Sequence, residues 1–298
     1  MYLTKTSNAQ KTLFCTAFMH QPLFTIDTGV ATDSSRYHLV METGPHYFAY
    51  LLLDADKKPA KLCCYELPVT HARELAATIE EIINETPLLR DELGETVVLY
   101  NFPESEFVPK DFFNLNTIQQ QSQLLHGDFN TGTILSEKVH GYESYCVFTV
   151  PGEIHRLFQR RFTNGKYWHF YSVWLECLKK HQPATEPTIS ILFYPSRIII
   201  GAVTSKGIEL VQSYNYQAAE DVAYYTLNVL EQLDLPAGTT AVTLAGTIDE
   251  SSAVFTELQK YLGQLRFVKT AGTELADAFK EYPHHFFSPL LNMSLCVL

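Results

Sequence analysis

One order of elements occurs twice in this 298-residue chain, and that repetition constrains the fold more than any single motif. Residues 37–44 (YHLVMETG), 46–53 (HYFAYLLL) and 60–67 (AKLCCYEL) are three short apolar or alternating runs. Gly44-Pro45 and residues 54–59 part them, as turns part the strands of an antiparallel meander. Across residues 69–85, Ala72, Leu75, Ala76, Ile79, Ile82 and Ile83 recur at the spacing of a helix that buries one face. Residues 96–102 (TVVLYNF) then read as a buried strand. The order restarts at Thr188, 151 residues beyond Tyr37. Strands are predicted over 188–194 (TISILFY), 198–204 (IIIGAVT) and 208–216 (IELVQSYNY), a helix over 217–233, and a strand over 240–244 (TAVTL). The helix carries Val222, Thr226, Val229, Leu230 and Leu233 on one face. A repeat at half the chain length is what duplication and fusion of one domain leaves behind.

Both halves finish alike. In the first, a helix over 151–162, a strand over 166–171 and a helix over 172–180 are expected. In the second, the counterparts are 251–262, 265–269 and a helical tail after Pro283. Each half is therefore βββαβαβα, with three meander strands, a crossover helix and parallel returns, which predicts a five-stranded mixed sheet per half. The seam is the run KKHQPATEPT at 179–188, where two prolines, charge and small residues interrupt the apolar pattern. It divides the chain into domains at 1–183 and 184–298. The first carries an N-terminal extension and an insertion at about 103–150, with a helix near 115–125 and a hairpin across Gly141.

Charge and cysteine usage narrow the function. The 33 acidic residues exceed the 22 Lys and Arg, leaving a net charge of −11 that repels phosphate backbones and anionic lipid. Nucleic acid is disfavoured as a partner. Residues 1–11 are polar, and no stretch approaches the roughly 18 apolar residues of a spanning helix, so a cytoplasmic protein without a membrane partner is expected. The six cysteines form no CxxC and read as buried thiols. Cys63 and Cys64 are neighbours in one strand, so they face opposite ways and cannot share a metal.

The doubled order resembles the actin, Hsp70 and sugar-kinase superfamily, whose halves are ribonuclease H-like domains closing on ATP. More narrowly, FTIDT (24–28), FVPKDFF (107–113), LAGTIDESSAVFTELQKYL (244–262) and YPHHFF (282–287) resemble DUF3822, a bacterial family whose fold is actin-like and whose function is not established. The resemblance implies an α/β chain of two ribonuclease H-like domains in an actin-like ATPase arrangement. It also implies two phosphate-binding hairpin turns, one per half, each led by an Asp that organises Mg²⁺. Such turns need inward N–H groups, glycine where φ is positive, and a carboxylate.

Set against that pattern, the first turn, Glu42-Thr43-Gly44-Pro45-His46, keeps an acid and a glycine but spends an N–H on proline. The second, Tyr194-Pro195-Ser196-Arg197, has no Asp and no Gly, and sets a bulky ring where phosphate would lie. On the adenosine side, Gly246 and Thr247 offer one glycine and a Thr-x-x-Glu helix cap with Glu250, a structural cap in preference to a nucleotide contact. If nucleotide binding persists, it falls to Glu42, Thr43, Gly44, Gly246 and Thr247. Asp27-Thr28-Gly29 lacks the second copy an aspartic protease needs, and His284-His285 lacks spaced metal partners. Arg156, Arg160, Arg161 and Lys166 read as a solvated face, not an RNA patch. The expectation is therefore a non-catalytic binding or scaffolding module, without cofactor, metal or catalytic residues, that meets a protein partner. The alternatives are a residual nucleotide binder or slow ATPase, and an RNA-associated factor.

Overall fold

A computed structural model describes residues 20–31, 33–90, 93–120, 132–181, 187–269 and 275–298. In chain order the first half runs β1 (Phe24–Asp27), β2 (His38–Gly44), β3 (Tyr47–Leu53), β4 (Pro59–Glu66), α1 (Ala72–Glu85) and β5 (Thr96–Tyr100). Three strands follow, β6 (Ser105–Pro109), β7 (Thr133–Val139) and β8 (Ser144–Val150), then α2 (Gly152–Arg161), β9 (Lys166–His169) and α3 (Phe170–His181). The second half runs β10 (Thr188–Phe193), β11 (Arg197–Thr204), β12 (Gly207–Asn215), α4 (Ala219–Gln232) and β13 (Ala241–Gly246). It ends with α5 (Ala253–Gln259), β14 (Gln264–Phe267), α6 (Asp277–Lys280) and α7 (His284–Val297).

The second sheet has the order β12-β11-β10-β13-β14, with β10–β13 and β13–β14 parallel. The first repeats it as β4-β3-β2-β5-β9, with β2–β5 and β5–β9 parallel, and adds β1 outside β4. That sheet is six-stranded, not five. The extra strand spans four residues, too few to display alternation, and it forms by zipping onto the edge of β4 with Phe24 opposite Cys64.

Helix boundaries also move, for local reasons. Helix α1 starts at Ala72 rather than residue 69, and a tight turn in which Val69 N donates to Leu67 O at 2.7 Å precedes it. Helix α5 starts at Ala253 because the Ser252 hydroxyl accepts from Phe255 N at 3.1 Å. Thr247 is not the cap. The helix expected near 115–125 is helical at 118–120, and its continuation, like residues 182–186 of the seam and Cys15, lies outside the described residues.

Apolar side chains sort into three cores that define five layers. Leu39, Met41, Phe48 and Tyr50 pack with Ile79 and Ile83 of α1 and Leu157 and Phe158 of α2 on one face of the first sheet. Val40, Leu51, Val97 and Leu99, on its other face, share a core with Leu192, Ile199 and Ala245 of the second sheet, and α3 and α7 fill the space between. Ile191, Ile200 and Leu244 pack under Val222 and Leu230 of α4 and Leu258 of α5. Cys63 and Cys64 fall in different cores, on opposite faces of β4.

Residues 103–150 hold a separate antiparallel sheet, ordered β6-β8-β7. It is fastened to α3 by His140 N donating to Glu176 at 2.7 Å and by Lys179 lying 4.6 Å over the Tyr142 ring. Val203, Ile208 and Val211 of the second half's β11–β12 hairpin pack against the same core as Cys146 and Phe148. No helix among the described residues is long and apolar enough to cross a membrane.

Candidate functional site

The β2–β3 and β10–β11 turns come together between the halves. The first is drawn tight against β5: Asn101 N donates to Thr43 O at 2.7 Å, and His46 turns the chain at φ 61°. A Cβ on Gly44 would lie 2.5 Å from Asn101 O and 3.1 Å from Arg197 Nη2, so only glycine fits there. In the second turn Tyr194 N donates to Arg197 O at 2.8 Å. That closure sends both the Tyr194 and Arg197 side chains back toward the first half.

There they occupy the acid's surroundings. Tyr194 Oη donates to Glu42 Oε1 at 2.6 Å, and Asn101 Nδ2 donates to the same oxygen at 2.7 Å and to Tyr194 Oη at 2.8 Å. Arg197 Nη1 donates to Asn101 O at 3.1 Å, and its guanidinium lies 4.9 Å over the Tyr194 ring. Tyr47 meets the Tyr194 ring edge-on at 5.0 Å. Thr43 Oγ1, Asn101 Oδ1 and Arg197 Nη2 are buried without a hydrogen-bond partner among the described residues. The cluster is thus a cross-domain knot with a few unsatisfied corners.

Burial raises the Glu42 carboxyl from 4.5 to about 7, even though Tyr194, Asn101 and the Arg197 charge all pull it the other way. Desolvation wins. Near neutrality the acid is therefore poised between neutral and charged, in contrast to an exposed metal-binding carboxylate. His169, beside this cluster, is pushed down to about 3 by the same desolvation, with the Arg197 charge adding to it.

Gly246 and Thr247 reach the same place from β13. A Cβ on Gly246, whose φ is +89°, would lie 2.2 Å from Phe193 O. Both Thr247 N and Thr247 Oγ1 donate to Phe193 O, at 2.9 and 3.2 Å, so the hydroxyl ties the two strands and caps nothing. Glu42, Tyr194, Gly246, Thr247 and Phe287 line one cavity of about 20 Å³. A single water needs ~10–15 Å³ by this measure. A triphosphate has no room.

The remaining sequence candidates resolve into structural contacts. Asp27 accepts from Gly29 N and Val30 N at 2.9 and 3.2 Å and pairs with Lys61 at 2.8 Å, an ordinary loop anchor. His285 contacts Ile248 O at 2.7 Å, and among the described residues no group of His, Cys, Asp or Glu could hold a metal. The basic cluster is neutralised: Arg160 pairs with Glu80 at 2.8 Å, Lys166 with Glu95 at 2.7 Å and Arg156 with Glu153 at 3.6 Å. Asn101 and Tyr47 escape sequence reasoning. A lone Asn after a strand carries no periodic or motif signal, and its partners lie far away in sequence.

The model of a family described as a protein of unknown function, DUF3822, matches residues 27–265. The chain belongs to the DUF3822 family. No curated protein matches the sequence. Among solved structures, this DUF3822 chain is similar to a Bacteroides thetaiotaomicron protein of unknown function with an actin-like ATPase fold. The two are 15% identical, covering 80% of this chain and 92% of that one, with a TM-score of 0.70. It is also similar to a chain of the PilM-PilN type IV pilus biogenesis complex, at 11% identity, 87% and 98% coverage and a TM-score of 0.53. These likenesses establish the actin-like fold of the DUF3822 chain.

Proposed function

We propose that this chain is a non-catalytic, cytoplasmic, actin-like module that binds a protein partner, its nucleotide cleft having become an internal joint between the halves. The observation that carries the reading is the Tyr194–Glu42 bond of 2.6 Å, in which the second phosphate turn fills the first. An actin-like site has to aim backbone donors from both turns at phosphate and hold Mg²⁺ by a carboxylate. Here Pro45 and Pro195 cannot donate, and the one retained acid is buried against a phenol and an amide. Arg197 offers a cation, but without an anchored metal the transferring charge would go unneutralised. The similar chain in the PilM-PilN complex comes from a two-protein assembly, which supports a protein partner for this fold. Neutralisation of the Arg160 and Lys166 charges by Glu80 and Glu95 argues against the RNA reading.

The test is thermal. A ligand at a hundred times its Kd stabilises by about 2.7 kcal/mol, which moves a melting temperature by several degrees. Millimolar ATP with Mg²⁺ is expected to leave the melting temperature unchanged, while tagged protein drawn from its own cell extract retains a protein partner without added nucleotide. An ATP-dependent stabilisation abolished by Glu42→Ala or Arg197→Ala would overturn the proposal in favour of residual nucleotide binding.

A further inference from the structure

The halves meet a second time, away from the turns, where their closing helices touch. Helix α3 ends the first half's βββαβαβα order, α7 ends the second's, and both lie in the layer between the sheets. Cys177 of α3 is 5% exposed and its Sγ contacts Asn292 O on α7 at 3.7 Å. Four residues beyond Asn292, on the same face of α7, stands Cys296, partly exposed and in side-chain hydrogen-bond contact with Cys177. Two thiols within hydrogen-bonding reach on packed helices are placed to be joined. The remaining described cysteines are arranged otherwise: Cys63 and Cys64 face opposite sides of β4, and Cys146 is buried in the core under the insertion.

We propose that Cys177 and Cys296 form an oxidation site, converted by a peroxide into a disulfide that staples the two closing helices and so fixes the halves to one another. Cys296 is the accessible thiol and meets the oxidant first. Its thiolate attacks one oxygen of hydrogen peroxide, the O–O bond breaks, hydroxide leaves and a sulfenic acid forms. The Cys177 sulfur then displaces hydroxide from that sulfenic sulfur, forming the S–S bond. Overall two thiol hydrogens and two electrons pass to one peroxide, giving two waters. The Cys296 contact and burial hold the Cys177 thiol well above its ordinary value, so it is not the thiol that initiates. The bond would close a loop of more than a hundred residues, the length at which cross-links constrain the unfolded chain most. This site is independent of the cleft reading, since no step touches the turns.

Hydrogen peroxide titration of the full chain, with non-reducing peptide mapping and thermal melts, tests it. The expected result is a crosslinked peptide pair containing Cys177 and Cys296, loss of two titratable thiols, and a rise in melting temperature of several degrees that dithiothreitol reverses. Cys177→Ser and Cys296→Ser should each abolish all three, and Cys63→Ser with Cys64→Ser should abolish none. Because Cys177→Ser changes a buried site, the partly exposed Cys296→Ser decides the outcome if the former fails to fold. Sulfinic or sulfonic Cys296 without the crosslink, an intermolecular Cys296 dimer, or a crosslink that survives Cys296→Ser would overturn the proposal.

Discussion

The β2–β3 turn and the β10–β11 turn occupy the same place in the same topology, yet their chemistry is opposite. The first retains Glu42 and Gly44, the residue types that chemistry at such a turn requires. The second carries Tyr194 and Arg197 instead, and those side chains satisfy the first turn. The two turns are therefore coupled. Glu42 is the acceptor for Tyr194 and Asn101, and at Gly44 Asn101 O and Arg197 leave no space for a Cβ. A residue type that matches a family's site is evidence of function only after its own contacts have been read.

The largest effect should come from removing the second turn's contribution. Tyr194→Ala should cost about 4 kcal/mol, since it empties a buried aromatic site and removes one of the two donors to Glu42. The measurement is chemical denaturation at neutral pH. Tyr194→Phe, which keeps the ring, should lose about 2 kcal/mol, the worth of a hydrogen bond to a carboxylate. Equal losses for the two variants would mean that the ring contributes no packing and the whole effect lies in the bond.

A somewhat smaller effect is expected on the first turn, and it depends on pH. The Glu42 carboxyl holds its proton up to about pH 7 when folded, against 4.5 as the unperturbed value. It therefore favours folding fully below pH 4.5 and loses that contribution as pH rises through 7, about 3 kcal/mol in all. Glu42→Gln removes the titration. The stability of the Gln variant relative to the parent should climb between pH 4.5 and 7 and stay level above, whatever the other groups do. A difference that stays flat with pH would show that the second turn does not desolvate the acid.

The smallest effect separates the strand–helix corner of the second half from the turns. Ser252→Ala should cost about 1 kcal/mol by removing the cap of α5. Thr247→Val, by contrast, should leave the helix unchanged and affect only the tie to Phe193. Helical content by circular dichroism, followed through a thermal melt, distinguishes the two. If Thr247→Val unwinds α5 instead, the corner is organised by the Thr-x-x-Glu pattern and not by Ser252.

Much of the architecture was legible because it rests on local periodicity. Strands β2, β3 and β10 lie within a residue or so of their apolar runs, and α1 carries Leu75, Ile79, Ile82 and Ile83 on the face the spacing implied. Strand β1 was hidden because four residues gain their strand character from β4 and not from their own pattern. That the second turn lacks an acid and a glycine was readable from Tyr194 to Arg197. The contacts it makes were not, since the knot joins Glu42, Asn101 and Tyr194 across long stretches of chain and no sequence window holds two of them.

The shared layer of α3 and α7 has a consequence for how the molecule comes to exist. Val40, Leu51, Val97 and Leu99 are covered in part by Phe287, Leu290, Leu291 and Met293, which are synthesised far later. At ~5–20 residues per second, a ribosome leaves that face waiting on the order of ten seconds or more for its cover. Contacts of such sequence separation also close slowly once the chain is free. The first half thus spends its early life as an unfinished surface, and maturation of the whole is timed by the arrival of a single helix.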